Sequence, residues 1–594
     1  MAVEKLITDH IDIWSSALQT RSMAGRGSNG KIDLYGIKKL RELILELAVR
    51  GKLVPQDPND EPASELLKRI AAVKAELVKQ GKIKKQKPLP EISEDEKPFE
   101  LPVGWEWQRL IELGSWAIGS GFPTSIQGIT SEDILMCKVS DMNLQGNEKY
   151  IKATNNTISE ESAIQRKINV SEPGTVIFPK IGGAIATNKR RILVKKTAID
   201  NNCLGIRPFQ QINLEWFFLI LNAIDMAKYQ SGTSVPAINQ SVIGNIVIAL
   251  PSEYMQARIV AKVEELMSLC DQLEQQSLTS LDAHQQLVET LLATLTDSQN
   301  AEQFAENWTR ISQHFEILFT TEASIDALKQ TILQLAVMGK LVPQDPNDEP
   351  ASELLKRIEL EKAQLLKEGK IKKQKLLPPV SDEEKPFELP QGWEWVCWGE
   401  LLAYDDGAFK RGPFGSSLTK SMFISEGYKV YEQYCPINDD CSFERYYISD
   451  EKFEELRGFA VKAGDFLVSC TGATLGRITQ VPQKFKEGVI NQALLRVRIN
   501  KGFIDADFFK LLFRSPFFQK NIFENSKGSA IPNLKGVNDL KAMPIPFLSI
   551  HEQYRIVAKV NELMAICEQL KVDLKSSKIT QLHLADALTD AALN

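Results

Sequence analysis

Between Ile37 and Leu47 the apolar residues Ile37, Leu40, Ile44 and Leu47 recur at spacings of three and four, which predicts an amphipathic helix. Gly51 stands where a helix C-cap would fall. Pro55, Pro58 and Pro62, with Asp57 and Asn59, predict a rigid turn before a second helix that runs from Pro62 to about Gln80. The period changes after Trp105. Residues 105–250 are short β-type runs cut by Gly, Pro and Asn, with one helical stretch at 214–227. Ile259, Val263, Leu266, Cys270 and Leu273 then restore a 4-3-4-3 spacing, a heptad seam that must pack along another helix. Continued to about Leu295, that helix would be a rod of roughly 57 Å at about 1.5 Å per residue. Residues 1–30 lack any such pattern and read as a loosely ordered lead.

The pattern then occurs again. LAVRGKLVPQDPNDEPASELLKRI (Leu47–Ile70) returns as LAVMGKLVPQDPNDEPASELLKRI (Leu335–Ile358), with one difference in 24 positions and an offset of 288. The basic run Lys82–Lys87 returns as Lys370–Lys375, and Gly104-Trp-Glu-Trp107 as Gly392-Trp-Glu-Trp395. The seam helix returns too: Arg258–Leu273 matches Arg555–Leu570 at 12 of 16 positions, with Ile556, Val560, Leu563, Cys567, Leu570 and Leu574 on its apolar face. Between these copies the β-rich stretches 105–250 and 393–548 keep only faint correspondences. Glu172–Phe178 answers to Lys462–Val468 and Asn201-Asn202 to Asn491-Gln492, both at an offset of 290. The expected organisation is 1–104 helical leader and linker, 105–250 first α/β domain, 251–392 long helix with second leader, 393–548 second α/β domain, and 549–594 closing helix. The fold class is α/β (α+β) with an internal pseudo-twofold repeat. Copied helices must do one job twice, while the two divergent domains do related but different jobs.

Composition narrows the classes. A chain of 594 residues holds several domains. Its 43% apolar and 25% charged residues are those of a soluble globular protein. Apolar runs such as Trp216–Leu221 are too short to span a bilayer, and the acidic, polar start does not resemble a signal peptide. Eight cysteines without a C-x-x-C pair fit buried thiols in a reducing cytoplasm, and five scattered histidines give no metal-site spacing. Gly25–Lys31 has most of a phosphate-loop pattern, but Ile32 stands where Ser or Thr should bind Mg²⁺ and no strand precedes it, so no nucleotide site is expected. A net charge of −6 excludes a general positive field; contact with nucleic acid would need Lys and Arg concentrated locally.

The repeated leader, LPVGWEW and the RIVAKVEELM helices together resemble the specificity subunits of type I restriction-modification enzymes, over nearly the whole chain from Lys31. The resemblance implies two target recognition domains, each reading one half of a bipartite DNA site. They would be held apart by long antiparallel coiled-coil helices that dock two methyltransferase (M) subunits. It also implies restriction (R) subunits, which join to cut unmethylated double-stranded DNA, and a bacterial or archaeal cytoplasm. S-adenosylmethionine, ATP and Mg²⁺ would sit on those partners, with no cofactor or metal on this chain. The residues agree: no Asn/Asp-Pro-Pro-aromatic motif and no intact phosphate loop is present, so base flipping and catalysis are expected elsewhere.

Arg reads guanine in two-pronged fashion, Ser and Thr reach base edges, and Lys mostly meets phosphate. On that basis the expected DNA contacts are Lys180, Lys189, Arg190, Arg191 and Thr233 in the first domain. In the second they are Lys410, Arg411, Ser416, Arg477 and Lys527. The expected partner frame is Ile259, Val263, Leu266 and Leu273 with Ile556, Val560, Leu563 and Leu570. The duplicated basic runs suit phosphate or partner contact, and the Gly-Trp-Glu-Trp motifs suit core anchors. The competing reading is a pseudo-symmetric scaffold that binds proteins or other ligands rather than DNA.

Overall fold

The computed structural model describes residues 3–21, 31–81, 89–232, 235–371, 377–405, 407–472, 474–523 and 533–593. The chain divides into two units, one of 1–21, 32–278 and 578–594, the other of 22–31 and 279–577.

In the first unit the predicted helices are α1 (Tyr35–Val49) and α2 (Ala63–Lys79). Ile37, Leu40, Leu43, Ile44 and Leu47 of α1 are buried, each contributing roughly 1.5–3 kcal/mol on leaving water. The chain leaves α1 at Gly51, whose φ of +70° favours glycine and where a Cβ would stand 2.6 Å from the Pro102 ring. Strand β1 (Glu106–Arg109) opens the domain. Its last strand, Val247–Leu250, pairs antiparallel with β1, so entry and exit lie side by side. Between them β2 (Gly114–Ile118), β3 (Val176–Pro179), β4 (Arg191–Leu193) and β5 (Cys203–Pro208) form a sheet in the order β2-β5-β3-β4, extended by Tyr150–Ile151. A second sheet takes strands 157–158, 134–137, 197–199 and 170–171 in that order. Helix α3 (Leu214–Ala223) packs Trp216, Phe217 and Leu221 into the core, and β6 (Val247–Leu250) leads into α4 (Glu253–Thr296).

Ile259, Val263, Leu266 and Cys270 of α4 are buried in one cluster with the apolar face of α1, and Leu273 packs partly against it. Arg41 of α1 bonds Asp271 (2.5 Å) and Glu274 (2.6 Å), while Arg258 at the other end of the seam pairs with Asp60 beyond α1. α1 and α4 are therefore antiparallel. Residues 578–593 of the C-terminal helix join the same cluster through fully buried Ala585. There the Tyr35 hydroxyl donates to Asp586 (2.7 Å) and Lys52 Nζ to the Leu593 carbonyl (2.7 Å).

The expectation of a loose lead is corrected for its described residues. Val3–Thr8 and Ile11–Ser16 are helices, and Leu6, Ile7, Trp14 and Ala17 are buried with α1, the Trp14 Nε1 donating to the Leu6 carbonyl (3.2 Å). Six-residue helices carry too few apolar repeats to register as periodicity. The phosphate-loop-like Gly25–Gly30 lies outside the described residues.

The second unit repeats this construction with α5 (Glu322–Val337), α6 (Ala351–Lys367) and β7 (Glu394–Cys397). β8 (Phe409–Arg411), β9 (Phe466–Ser469), β10 (Ile478–Gln480) and β11 (Leu494–Val497) form a sheet in the order β8-β11-β9-β10. Strands 447–448, 428–431 and 488–490 form the other sheet. α7 (Ala506–Arg514) and β12 (Pro544–Phe547), paired with β7, lead to α8 (Ile550–Leu593). Ile556, Val560 and Cys567 are buried, and Leu563, Leu570 and Leu574 pack partly on the same cluster. Lys329 pairs with Glu568, Lys571 with Asp326, and Arg555 with Asp348 (2.6 Å), so α5 and α8 are also antiparallel. The architecture is thus the expected α+β fold with long seam helices and an internal repeat. α4 and α8 each have 44 residues, and each begins in one unit and ends in the other. No helix among the described residues is long and apolar enough to cross a membrane.

Candidate nucleic-acid interface

Antiparallel pairing brings three chain segments to one end of the main sheet in each unit. In the first unit β2 and β3 leave that end and β5 enters it. The turn before β5 is closed by Asp200: its Oδ1 accepts from the Asn202 amide (3.2 Å) and its carbonyl from the Cys203 amide (3.0 Å). Gly119, just past β2, lies so close that a Cβ would be 1.9 Å from the Asp200 oxygen. The Lys180 amide, just past β3, donates to the Asn202 carbonyl (2.8 Å).

The second unit builds the same edge from different letters. Asn491 Oδ1 accepts from the Ala493 amide (3.1 Å), and the Asn491 carbonyl from the Leu494 amide (3.1 Å). Gly412 past β8 would put a Cβ 1.9 Å from the Asn491 oxygen, and the Cys470 amide past β9 donates to the Ala493 carbonyl (2.8 Å). Asp200 therefore answers to Asn491, at an offset of 291. The expected equivalence of Asn201-Asn202 with Asn491-Gln492 is one residue out of register, because Asp and Asn close this turn equally well and the matching asparagines hold different places in it.

The loops after β3 and β9 also match. Gly182 (φ +79°) and Gly472 (φ +83°) take the same left-handed turn, and Ile181 bridges to Ala237 as Thr471 bridges to Asn533. The segments reached by those bridges are Gly232-Thr-Ser-Val-Pro-Ala-Ile238 and Gly528-Ser-Ala-Ile-Pro-Asn-Leu534. This shared Gly-Ser/Thr-x-x-Pro pattern is the sequence signal that marks the two segments as equivalent.

Lys180, Lys189 and Arg190 come together on the β3–β4 loop, with Arg191 at the start of β4. Lys180 is half-buried. Lys189 Nζ hydrogen-bonds Asn143 Oδ1. Arg191 donates to the carbonyls of Arg190 (2.7 Å) and Met142 (2.9 Å), its Nε is left without a partner, and burial lowers its pKa. The expectation for Arg190 is corrected. Only 2% exposed, its guanidinium donates to the Leu221 (3.1 Å), Ile224 (3.1 Å) and Lys189 (3.0 Å) carbonyls and to Asn188 Oδ1 (2.8 Å), and burial pushes its pKa down to about 10. It ties the loop to α3 rather than facing a ligand.

In the second unit β8 sends its two basic side chains opposite ways. Lys410 Nζ lies 4.2 Å from the Phe459 ring centroid and the Arg411 guanidinium 5.4 Å from that of Phe414. Ser416 and Arg477 are exposed, the latter on the β9–β10 loop. Thr233 and Lys527 lie outside the described residues, as do Lys82–Lys87 and Lys372–Lys375. The Trp residues of the repeated motif are anchors: Trp105 and Trp393 are each 6% exposed, with Nε1 donating to Gln56 Oε1 and Glu552 Oε2 (both 2.9 Å). All eight thiols are buried, and burial raises the pKa of Cys470 to about 12 and of Cys270 to about 11.

Residues 102–283 match the family model described as type I restriction modification DNA specificity domain. The chain is 49% identical to the specificity subunit of the type I restriction enzyme EcoAI of Escherichia coli, over 100% of both chains. It is 48% identical to that of EcoEI from the same organism, again over 100% of both. Among solved structures, it aligns with the HsdS subunit from Thermoanaerobacter tengcongensis at 19% identity and a TM-score of 0.37, covering 84% of this chain and 98% of that one. The chain belongs to the family of type I restriction enzyme specificity subunits.

Proposed function

We propose that each unit reads one half of a split, asymmetric DNA site and that the chain carries recognition rather than catalysis. One observation supports this above the rest. The two units hold matching sheet ends with the same turn, the same glycine approach and the same bridge, while the exposed side chains there differ. Equivalent backbone with unlike side chains suits two readers of unlike half-sites. The repeated α1–α4 and α5–α8 frames suit two copies of one partner, an adenine-N6 methyltransferase subunit. Restriction subunits would complete the complex that cuts unmethylated DNA. S-adenosylmethionine, ATP and Mg²⁺ act on those partners. Lys180, Lys189, Arg191, Arg411, Ser416 and Arg477 are the DNA-facing candidates, with Thr233, Lys410 and Lys527 retained from the sequence, and the buried free thiols suit a reducing cytoplasm.

The test is selection of this chain with its methyltransferase partner against a random duplex library. The expected product is a consensus in two blocks separated by a spacer of fixed length. Enrichment of no split consensus would refute the reading. Affinity for the selected site should also fall steeply with salt, as phosphate contacts require.

A further inference from the structure

Val235 and Ile118 are exposed on the first unit's edge as Phe414 is on the second's, but only the second unit carries an exposed aromatic ring in the loop past the glycine approach. Phe414, three residues past β8, is 63% exposed. Single exposed apolar residues are common and by themselves need no explanation. The position of this one is what matters. It follows the Gly412 approach and Pro413, lies beside the Arg411 guanidinium, and precedes Gly415 (φ +64°) and exposed Ser416. The first unit places an aromatic ring in the same loop, but there Phe122 packs against the cluster of Ile126, Ile134, Met136 and Ile158. The corresponding cluster of the second unit is covered by Leu418 and Phe423 instead, which leaves Phe414 without a core to join.

We infer that Phe414 reads a thymine through its 5-methyl group in the half-site taken by the second unit, next to a base read by Arg411. This rests on the proposed function. The chemistry favours a methyl contact: an apolar side chain distinguishes thymine in the major groove only by its methyl, while the neighbouring guanidinium suits guanine O6 and N7. In the first unit the ring in the same loop, Phe122, is tucked against its core and offers no such contact.

The experiment uses the full chain with its methyltransferase partner and the consensus it selects. Each thymine in turn is replaced by uracil, which removes only the methyl. The wild type should lose about fourfold in affinity at one thymine, the worth of about one buried methyl group. Phe414→Ala should bind the thymine and uracil duplexes equally, with unchanged affinity for random-sequence DNA showing that the domain is folded, and Phe414→Leu should keep part of the discrimination. Three results would overturn the inference: no thymine at which uracil weakens the wild type, unchanged discrimination by Phe414→Ala, or 2-aminopurine fluorescence showing that the ring unstacks a base step as a wedge. Failure of the wild type to select any split consensus is a separate result that removes the proposed function, and this inference with it.

Discussion

A fully buried glutamine holds the same place in both units, and its replacement by leucine gives a graded prediction. Gln256 Oε1 accepts from the backbone amide of Asn213 (2.8 Å), the N-cap of α3, and its Nε2 donates to the Pro251 carbonyl (3.2 Å). Gln553 Oε1 accepts from the amide of Asp505 (2.8 Å), the N-cap of α7, while its Nε2 donates to two carbonyls, Leu548 (3.1 Å) and Phe503 (3.0 Å). Leucine fills similar space and removes the glutamine's own desolvation, so the cost is that of the orphaned partners. At roughly 1–1.5 kcal/mol per orphan, Gln256→Leu should cost about 2–3 kcal/mol and Gln553→Leu about 3–4.5 kcal/mol. The assay is amide hydrogen exchange read by mass spectrometry on the full chain. In Gln553→Leu, exchange at Asp505 should accelerate by two to three orders of magnitude, about 1.4 kcal/mol per tenfold, while Asn213 stays protected. Gln256→Leu should do the reverse with a smaller acceleration. Unchanged protection at Asp505 in Gln553→Leu would refute the view that this side chain locks the domain to the long helix.

Other expectations follow from single contacts. Gly412→Ala sets a Cβ against the Asn491 carbonyl, so it should lower the thermal midpoint by an amount equivalent to about 1–3 kcal/mol and weaken binding to the selected site, measured by melting and by gel shift. Glu552 is 3% exposed, and burial holds its carboxyl above the ordinary range. A pKa raised by folding leaves stability intact below the unfolded value and erodes it as pH rises through the folded one. Glu552→Gln should therefore raise the melting temperature near neutral pH and leave it unchanged in acid, as scanning calorimetry across pH would show. Arg411→Ala should relax specificity at one base pair by about 1–3 kcal/mol in competition binding, whereas Lys180→Ala should weaken all sequences alike.

The parts legible in the sequence are those whose signal is long. Four turns of heptad spacing in α4 and α8 and the 24-residue repeat specify antiparallel helix pairs twice over. The recognition domains resist such reading because their strands are two to six residues long and buried on both faces, as in the all-buried Val176–Pro179 and Phe466–Ser469. No alternation survives in so short a run. The candidate site was half legible. Basic residues flanking glycine turns were visible, yet nothing in Lys189-Arg190-Arg191 tells which of three neighbours faces inward, since that depends on carbonyls of α3 more than thirty residues away.

The pairing of Asp200 with Asn491 shows why comparison of the two units goes further than either sequence half alone. Both side chains do one task, accepting the amide two residues on, and both carbonyls meet a glycine from the neighbouring strand. That backbone arrangement survives divergence of most of the letters around it, the glycines excepted. Selection for folding therefore explains the glycines, the Asx turn and the bridges to Ala237 and Asn533. It does not explain the exposed residues set on them, Asn201 in one unit and Gln492 in the other, or the ring of Phe414 against the tucked ring of Phe122. Once the positions that folding accounts for in both units are set aside, the remaining exposed, unlike side chains on that edge are where unlike half-sites would be told apart. A swap of residues 412–417 alone should accordingly move preference within one block of the selected consensus and leave the other block untouched. Altered bases in both blocks would show that the edge is not the reader.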